Sequence, residues 1–245
     1  MTTDMKKASS EVLANADAVA MRMAELLIDA IETCPEQKAR IALSGGSTPK
    51  RLFEILAQPD MAKKIDWSRV EIFYGDERHV PVTHDDSNHK MAQSLLLSKV
   101  SLPASQIHPM PTSSSAKEDA ANYQSILQKS YGSDTLEPGR PLFDVVMLGL
   151  GTDGHTASLF PGEEVLDNDR DWVSISAPKT APHDRLTLTY KAIQSSRLVV
   201  FLITGENKVT MLKRLKQADD TIPSGRIKSD GKILILSDRA AAGEG

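Results

Sequence analysis

Short, nearly continuous apolar runs recur along the chain, separated by longer amphipathic stretches, and this alternation limits the fold more than any other feature of the sequence. "ARIALS" (39–44), "VEIFYG" (70–75), "FDVVMLG" (143–149), "WVSISA" (172–177), "RLTLTY" (185–190), "RLVVFLIT" (197–204) and "KILILS" (232–237) read as strands. A strand that is apolar on both faces needs cover on both, and a parallel sheet with helices above and below provides it. "RLTLTY" alternates instead, the pattern of a strand with one wetter face or a place at a sheet edge. From Ser10 to about Thr33 the apolar residues, from Val12 and Leu13 through Met23 to Ile31, keep the spacing of one helical face. Further helices are expected at 49–57, 87–99, 116–131 and 206–216. Strand following helix through most of the chain predicts an α/β fold with a doubly wound, mainly parallel sheet.

At 245 residues the chain is long enough for one sizeable core and just short of the length at which chains divide, so residues 1–245 are expected to form a single α/β domain. The loops "MPTSSSAKEDA" and "YGSDTLEPGRP" are too short for linkers, and the tail "RAAAGEG" is expected to fray. A formal net charge of -4 and a pI near 5.9 argue against nucleic acid or an anionic membrane as partner and leave room for a local basic pocket that takes a small anion. "MTTDMKKASSEV" lacks an apolar leader and no later stretch has bilayer-spanning length, so a cytoplasmic protein is expected. Cys34, the only cysteine, has no partner for an internal disulfide and reads as a free, buried or half-buried thiol.

In a doubly wound sheet, ligands collect beyond the carboxyl ends of the strands, near a topological switch point. The segment just past each strand therefore carries the functional reading. After the first comes "LSGGSTPKRLFEIL": beyond Ser44, Gly45 and Gly46 let backbone approach a ligand, Ser47 or Thr48 is placed to cap the next helix, and Pro49 suits its first turn. Free N–H groups and a helix dipole then converge where an anion such as phosphate would sit. The stretch lacks the spacing and ending of a Walker loop. After the second strand, Arg78 suits bidentate grip on a phosphate and Asp76 suits sugar hydroxyls, although a surface salt-bridged loop would read the same way. His79, His84 and His89 stand near Asp85 and Asp86 without the spacing of a helical metal motif, so no metal is expected; the acidic residues and Ser87 start a helix instead.

"GLGTDGHTASLFPG" comes at the end of the strand 143–149. Gly149, Gly151 and Gly154 satisfy G-x-G-x-x-G, but Asp153, His155 and Thr156 crowd the place where a dinucleotide pyrophosphate needs bare backbone. The glycines are expected to shape a turn that presents Asp153 and His155 together, and histidine titrates near neutrality, as a general base must. Arg185 at a strand start and Lys208 just past another add cationic reach.

In this order, "LSGGSTPKRLFEIL", "IFYGDERHVP" with "DDSN", "FDVVMLGLGTDGHTASLFPG" and "ITGENK" resemble the 6-phosphogluconolactonases, which share a superfamily with glucosamine-6-phosphate deaminase. The resemblance runs from about Gly45 to Lys208. It implies a Rossmann-like parallel sheet and hydrolysis of 6-phospho-D-glucono-1,5-lactone to 6-phosphogluconate in the oxidative pentose phosphate pathway, with no metal or other cofactor. It also implies a functional coupling to glucose-6-phosphate dehydrogenase without a stable complex. By motif, His155 is the general base and Asp153 its neighbour, orienting the imidazole or holding a sugar hydroxyl. Residues 44–48, Asp76, Arg78, Gly151, Arg185 and Lys208 would be the phosphate and sugar contacts. An ester carbonyl yields to activated water, and the chain has no G-x-S-x-G elbow that would supply a covalent nucleophile. Two other readings compete. The amino-sugar phosphate deaminases place a glutamate five residues past the matching histidine, where this chain has Phe160, and an aromatic residue where it has Arg78. A non-catalytic sugar-phosphate sensor would usually carry a DNA-binding helix-turn-helix, and the N-terminal helix here is single and without a basic patch.

Overall fold

A computed structural model of the chain describes residues 8–244; residues 1–7, on which part of the leader reading rests, and Gly245 at the end of the tail lie outside the described residues. The strands are β1 (Ser9–Leu13), β2 (Ala39–Leu43), β3 (Val70–Tyr74), β4 (Asp76–Arg78), β5 (Phe143–Leu148), β6 (Val173–Ser176), β7 (Arg185–Leu188), β8 (Ser196–Ile203) and β9 (Lys232–Asp238). The helices are α1 (Ala16–Glu32), α2 (Ser47–Leu56), α3 (Pro59–Ala62), α4 (Asn88–Ala92), α5 (Ala116–Tyr131), α6 (Tyr190–Gln194), α7 (Val209–Lys216) and α8 (Arg239–Ala242). Six strands in the order β1-β9-β8-β5-β2-β3 form one sheet, every pairing parallel, and β4-β7-β6 form a separate antiparallel sheet.

The apolar runs behave as their composition dictates. Every residue of β2 and β5 is buried, and β8 is buried from Val199 to Ile203. Helix α1 lays Val19, Ala20, Met23 and Leu27 against the sheet, near β5, β8 and β9. From β2 the chain passes to β3 on one side, while β5, β8 and β9 follow on the other, so strand order reverses between β2 and β5. The loops at the carboxyl ends of those two neighbours therefore part and leave a crevice.

Four expectations are corrected. Ser9–Leu13 is a strand rather than the first turns of α1: it pairs in register with β9, Ser9 opposite Leu234 through Leu13 opposite Asp238. Extended Asn15 starts the helix by accepting from the Ala18 amide at 3.0 Å; Val12 and Leu13 match the period of that helix only by coincidence. "RLTLTY" is neither wet nor at an edge, because β7 is the fully buried centre of the small sheet. The charged residues 76–78 are a strand: Gly75 donates its N–H to the Leu43 carbonyl at 2.8 Å and accepts from the Leu188 amide at 2.8 Å, passing the chain from the large sheet to the small one. The tail holds α8 through Ala242, with Asp238 accepting from the Ala241 amide at 2.7 Å. Cys34 is a buried free thiol, 3.5 Å from Asp144 Oδ1, and burial pushes it above the ordinary thiol range.

Candidate active site

The β2 and β5 loops open onto a cavity of about 340 Å³ that also takes in β4, the start of β7 and the turn after β8. Of the residues singled out in the sequence, Ser44, Gly45, Gly46, Ser47, Thr48, Asp76, Arg78, Gly151, His155, Arg185 and Lys208 line it. Asp153 does not line it but is bonded to His155.

On the β2 side, Gly46 takes φ +105°, a conformation that favours glycine, and α2 begins at Ser47 without a side-chain cap. Neither Ser47 nor Thr48 caps the helix as expected, because the helix starts at them; Thr48 Oγ1 instead bonds Thr204 Oγ1 at 2.9 Å. The Ser47 and Thr48 amides of the first turn are thus left without side-chain acceptors, and both residues line the cavity. Gly45 is backed by Asn88, whose Oδ1 occupies the place a Cβ would need. Asn88 Nδ2 donates to the Asp76 carbonyl at 2.9 Å.

The small sheet supplies two cations. Arg78 of β4 stands directly opposite Arg185 of β7 in the antiparallel register, and the Nε of each is buried without a hydrogen-bond partner. Arg78 Nη1 donates to the Asp86 carbonyl at 2.5 Å. Burial, and after it the charge of Arg78, pull Arg185 below the ordinary guanidinium value. Beneath them, Glu77 accepts from the amides of Arg78, Asn88 and His89 at 2.9, 2.7 and 2.8 Å and from Ser87 Oγ at 3.0 Å. Burial raises the Glu77 pKa in spite of those bonds. Asp76 Oδ2 accepts from Ser158 Oγ at 2.6 Å.

On the β5 side the turn holds a dyad. Asp153 Oδ1 lies 2.6 Å from His155 Nδ1 and accepts from the His155 amide at 3.0 Å. Burial pushes the Asp153 carboxyl up, but the amide, charge and ring nitrogen of His155 outweigh it and hold the group below the usual carboxylate range. Phe160 stacks on the imidazole with ring centroids 4.2 Å apart and planes at 29°. Gly151 is a spacer as well as a lining residue: a Cβ there would strike His155 Nδ1 and come within 2.5 Å of Asp153 Oδ1. Burial lowers the pKa of Lys208, and the nearby charge of Asp153 opposes that shift.

The histidines after β3 do not converge. His79 Nε2 meets Asp119 Oδ2 at 2.9 Å, and His89 Nδ1 meets the Tyr74 hydroxyl at 2.8 Å. Ser87 caps α4 as expected, accepting from the Lys90 amide at 3.1 Å. Asn88, Ser158 and Thr204 line or support the cavity without having been singled out, and Phe160 was noted only for the glutamate it replaces. Each of the three lies inside a stretch on which the resemblance rests, Asn88 in "DDSN", Ser158 in the segment 143–162 and Thr204 in "ITGENK", but the motif assigned none of them a role.

Residues 14–235 match the family of glucosamine-6-phosphate isomerases/6-phosphogluconolactonase. The chain is 40% identical to the 6-phosphogluconolactonase of Nostoc sp. over 98% of its own length and 99% of that protein. Its structure is similar to that of the 6-phosphogluconolactonase from Trypanosoma cruzi, with a TM-score of 0.85 and 27% identity over 99% of this chain and 98% of that one. A monomeric glucosamine-6-phosphate deaminase, 18% identical with a TM-score of 0.79 over 97% of this chain and all (100%) of that one, shares the fold. With the matched region spanning nearly every strand and the cavity, the chain belongs to the family of glucosamine-6-phosphate isomerases and 6-phosphogluconolactonases.

Proposed function

We propose that the chain is a 6-phosphogluconolactonase, hydrolysing 6-phospho-D-glucono-1,5-lactone by a histidine-activated water. One observation carries the reading. Two arginines with unpartnered buried Nε groups share a cavity with an uncapped helix start and with a histidine bonded to a carboxylate. Buried cations and free amides at one end call for an anion, and a free imidazole nitrogen at the other calls for a proton.

In this reading the substrate phosphate binds between the α2 N-terminus and the Arg78/Arg185 pair, which tethers the lactone with its carbonyl carbon beside His155. Lys208 adds positive potential on the dyad's side, and the Asp76 carboxylate meets sugar hydroxyls. Asp153 accepts the Nδ1 proton, so Nε2 carries the lone pair and takes a proton from water as its oxygen bonds the carbonyl carbon. The tetrahedral intermediate collapses as the bond from carbon to ring oxygen breaks. The ring oxygen receives the proton from the imidazolium, and the new carboxyl group ionises. Asp153 is thus the orienting partner rather than a sugar ligand.

The deaminase reading finds less support. Ring opening and enolisation of an amino sugar call for a further carboxylate beside the histidine, in addition to the one Asp153 supplies, and Phe160 stacks on the imidazole at the position where the deaminases carry that glutamate. The pairing of base and anion cradle also favours turnover over sensing. The enzyme would act in the cytoplasm, within the oxidative pentose phosphate pathway, next after glucose-6-phosphate dehydrogenase and without a stable complex.

The test is a coupled assay in which a dehydrogenase generates the lactone in place, so that enzymatic loss is measured against spontaneous hydrolysis. Faster loss with the protein, and no ammonia from glucosamine 6-phosphate, is the expected result. Ammonia release at a comparable rate, or no acceleration of lactone loss, would overturn the assignment.

A further inference from the structure

Outside the cavity lining, His84 and Asp86 of the segment between β4 and α4 meet His183 of the segment between β6 and β7. His183 Nε2 lies 2.9 Å and His84 Nδ1 3.8 Å from the same oxygen, Asp86 Oδ2, and one ligand atom from each residue falls within 4.8 Å of the others. Tetrahedral zinc, with bonds of roughly 2.0–2.2 Å to nitrogen and oxygen, holds its ligand atoms about 3.3 Å apart, so small side-chain adjustments suffice. Both segments are fixed by backbone contacts rather than by the cluster itself. The His84 amide donates to the Pro81 carbonyl at 2.8 Å, the His79 amide to the Asp184 carbonyl at 2.8 Å, and the Asp86 carbonyl accepts from Arg78. His183 sits at φ +67°, a left-handed conformation that costs a non-glycine residue free energy and that recurs at ligand clamps.

We infer that His84, Asp86 and His183 form a binding site for a borderline divalent cation such as Zn²⁺, with water completing the tetrahedron on the exposed side. Two imidazoles and one carboxylate suit Zn²⁺, Co²⁺ or Ni²⁺, whereas Mg²⁺ and Ca²⁺ take all-oxygen sites. On binding, the cation takes the lone pair that His84 Nδ1 now offers to the Asp86 amide at 3.1 Å, and it displaces the proton between His183 Nε2 and Asp86. The exposed Asp86 amide turns to water. The bound ion clips together the two segments that lead from Arg78 and into Arg185, and it has no part in lactone chemistry. The inference does not rest on the lactonase reading.

The test is calorimetric titration of the metal-depleted full chain with Zn²⁺, with Mg²⁺ in excess. Loss of even an outer-shell partner typically weakens metal binding roughly 10- to 100-fold. We expect one Zn²⁺ per chain, weakened at least that much in His183→Ala and in Asp86→Asn and unchanged in His79→Ala, whose imidazole is held by Asp119. All three ligands are at the surface, so these variants are expected to fold, and a metal-free thermal transition close to that of the wild type verifies it. Absence of Zn²⁺ binding, equal affinity in His183→Ala, or binding that survives His183→Ala and disappears in His155→Ala would each overturn the site.

Discussion

Two glycine-containing turns leave neighbouring parallel strands, and they use glycine in opposite ways. After β2, Gly46 takes φ +105° with only Pro49 near its missing Cβ, so glycine there serves backbone conformation and leaves amides bare. After β5, the space a Cβ on Gly151 would fill is taken by the His155 and Asp153 side chains, so glycine there serves side-chain approach. One turn is built to hold a ligand with main chain, the other to aim a titratable side chain. The dinucleotide fingerprint in the second turn fails for that reason: its spacing is present, but the volume that a pyrophosphate needs is occupied.

The largest expected effect comes from the second turn. General base catalysis typically contributes ~10²- to 10⁴-fold, so His155→Ala should lower kcat by that factor with KM little changed. Unchanged kcat would remove the imidazole from the proposed mechanism.

Gly151→Ala sharpens the contrast between the turns. It adds a methyl group where the dyad stands, and a displacement of the order of 1 Å at a reacting group costs roughly 10²-fold. The loss should fall on kcat, with thermal stability close to wild type. Gly46→Ala should do the reverse. Its strain of about 1–3 kcal/mol should lower Tm and raise KM while kcat holds. If both substitutions moved the same parameter, the distinction between the turns would fail.

The arginine pair answers to the first turn. A charge-assisted hydrogen bond contributes roughly 1.5–3 kcal/mol, so Arg185→Met should raise KM about 10- to 100-fold. The same change relieves a buried, partly unpartnered cation opposite another. The Tm of the free protein should therefore stay level or rise, and inorganic phosphate should stabilise the variant less than the wild type. A fall in Tm together with an unchanged KM would make Arg185 structural.

How much of the molecule is legible in its sequence depends on the range of each interaction. The apolar runs that became β2, β5, β8 and β9 carry their burial in their own composition, and the turns after β2 and β5 are local motifs. The meeting of Arg78 with Arg185 depends on a register between strands more than a hundred residues apart, and no local pattern encodes it. β1 is hidden for a related reason: its partner β9 is at the other end of the chain, while Val12 and Leu13 happen to continue the period of α1. The same blindness applies to His84 and Asp86, whose histidine partner lies 97 residues away from Asp86. Asn88 and Ser158 act by filling space behind glycine and aspartate, roles that any small polar residue at those positions would leave unannounced.

The smallest effect separates the turns by pH. Burial raises the Asp153 carboxyl and its contacts with His155 lower it further, so its pKa in the folded chain lies below the unfolded value of ~3.9. A carboxylate depressed in this way stabilises the fold above the unfolded value, and the contribution is lost as pH falls through the folded one. Thr48 donates or accepts a neutral hydrogen bond with Thr204 and has no proton to gain in that range. Differential scanning calorimetry of Asp153→Asn and Thr48→Ala beside the wild type reads both. The Tm deficit of Asp153→Asn should be present near pH 6 and shrink toward pH 3, and that of Thr48→Ala, which reflects the loss of a hydrogen bond of about 1 kcal/mol, should stay constant. A deficit for Asp153→Asn that does not depend on pH would mean that its charge does not hold the β5 turn, leaving shape alone to orient His155.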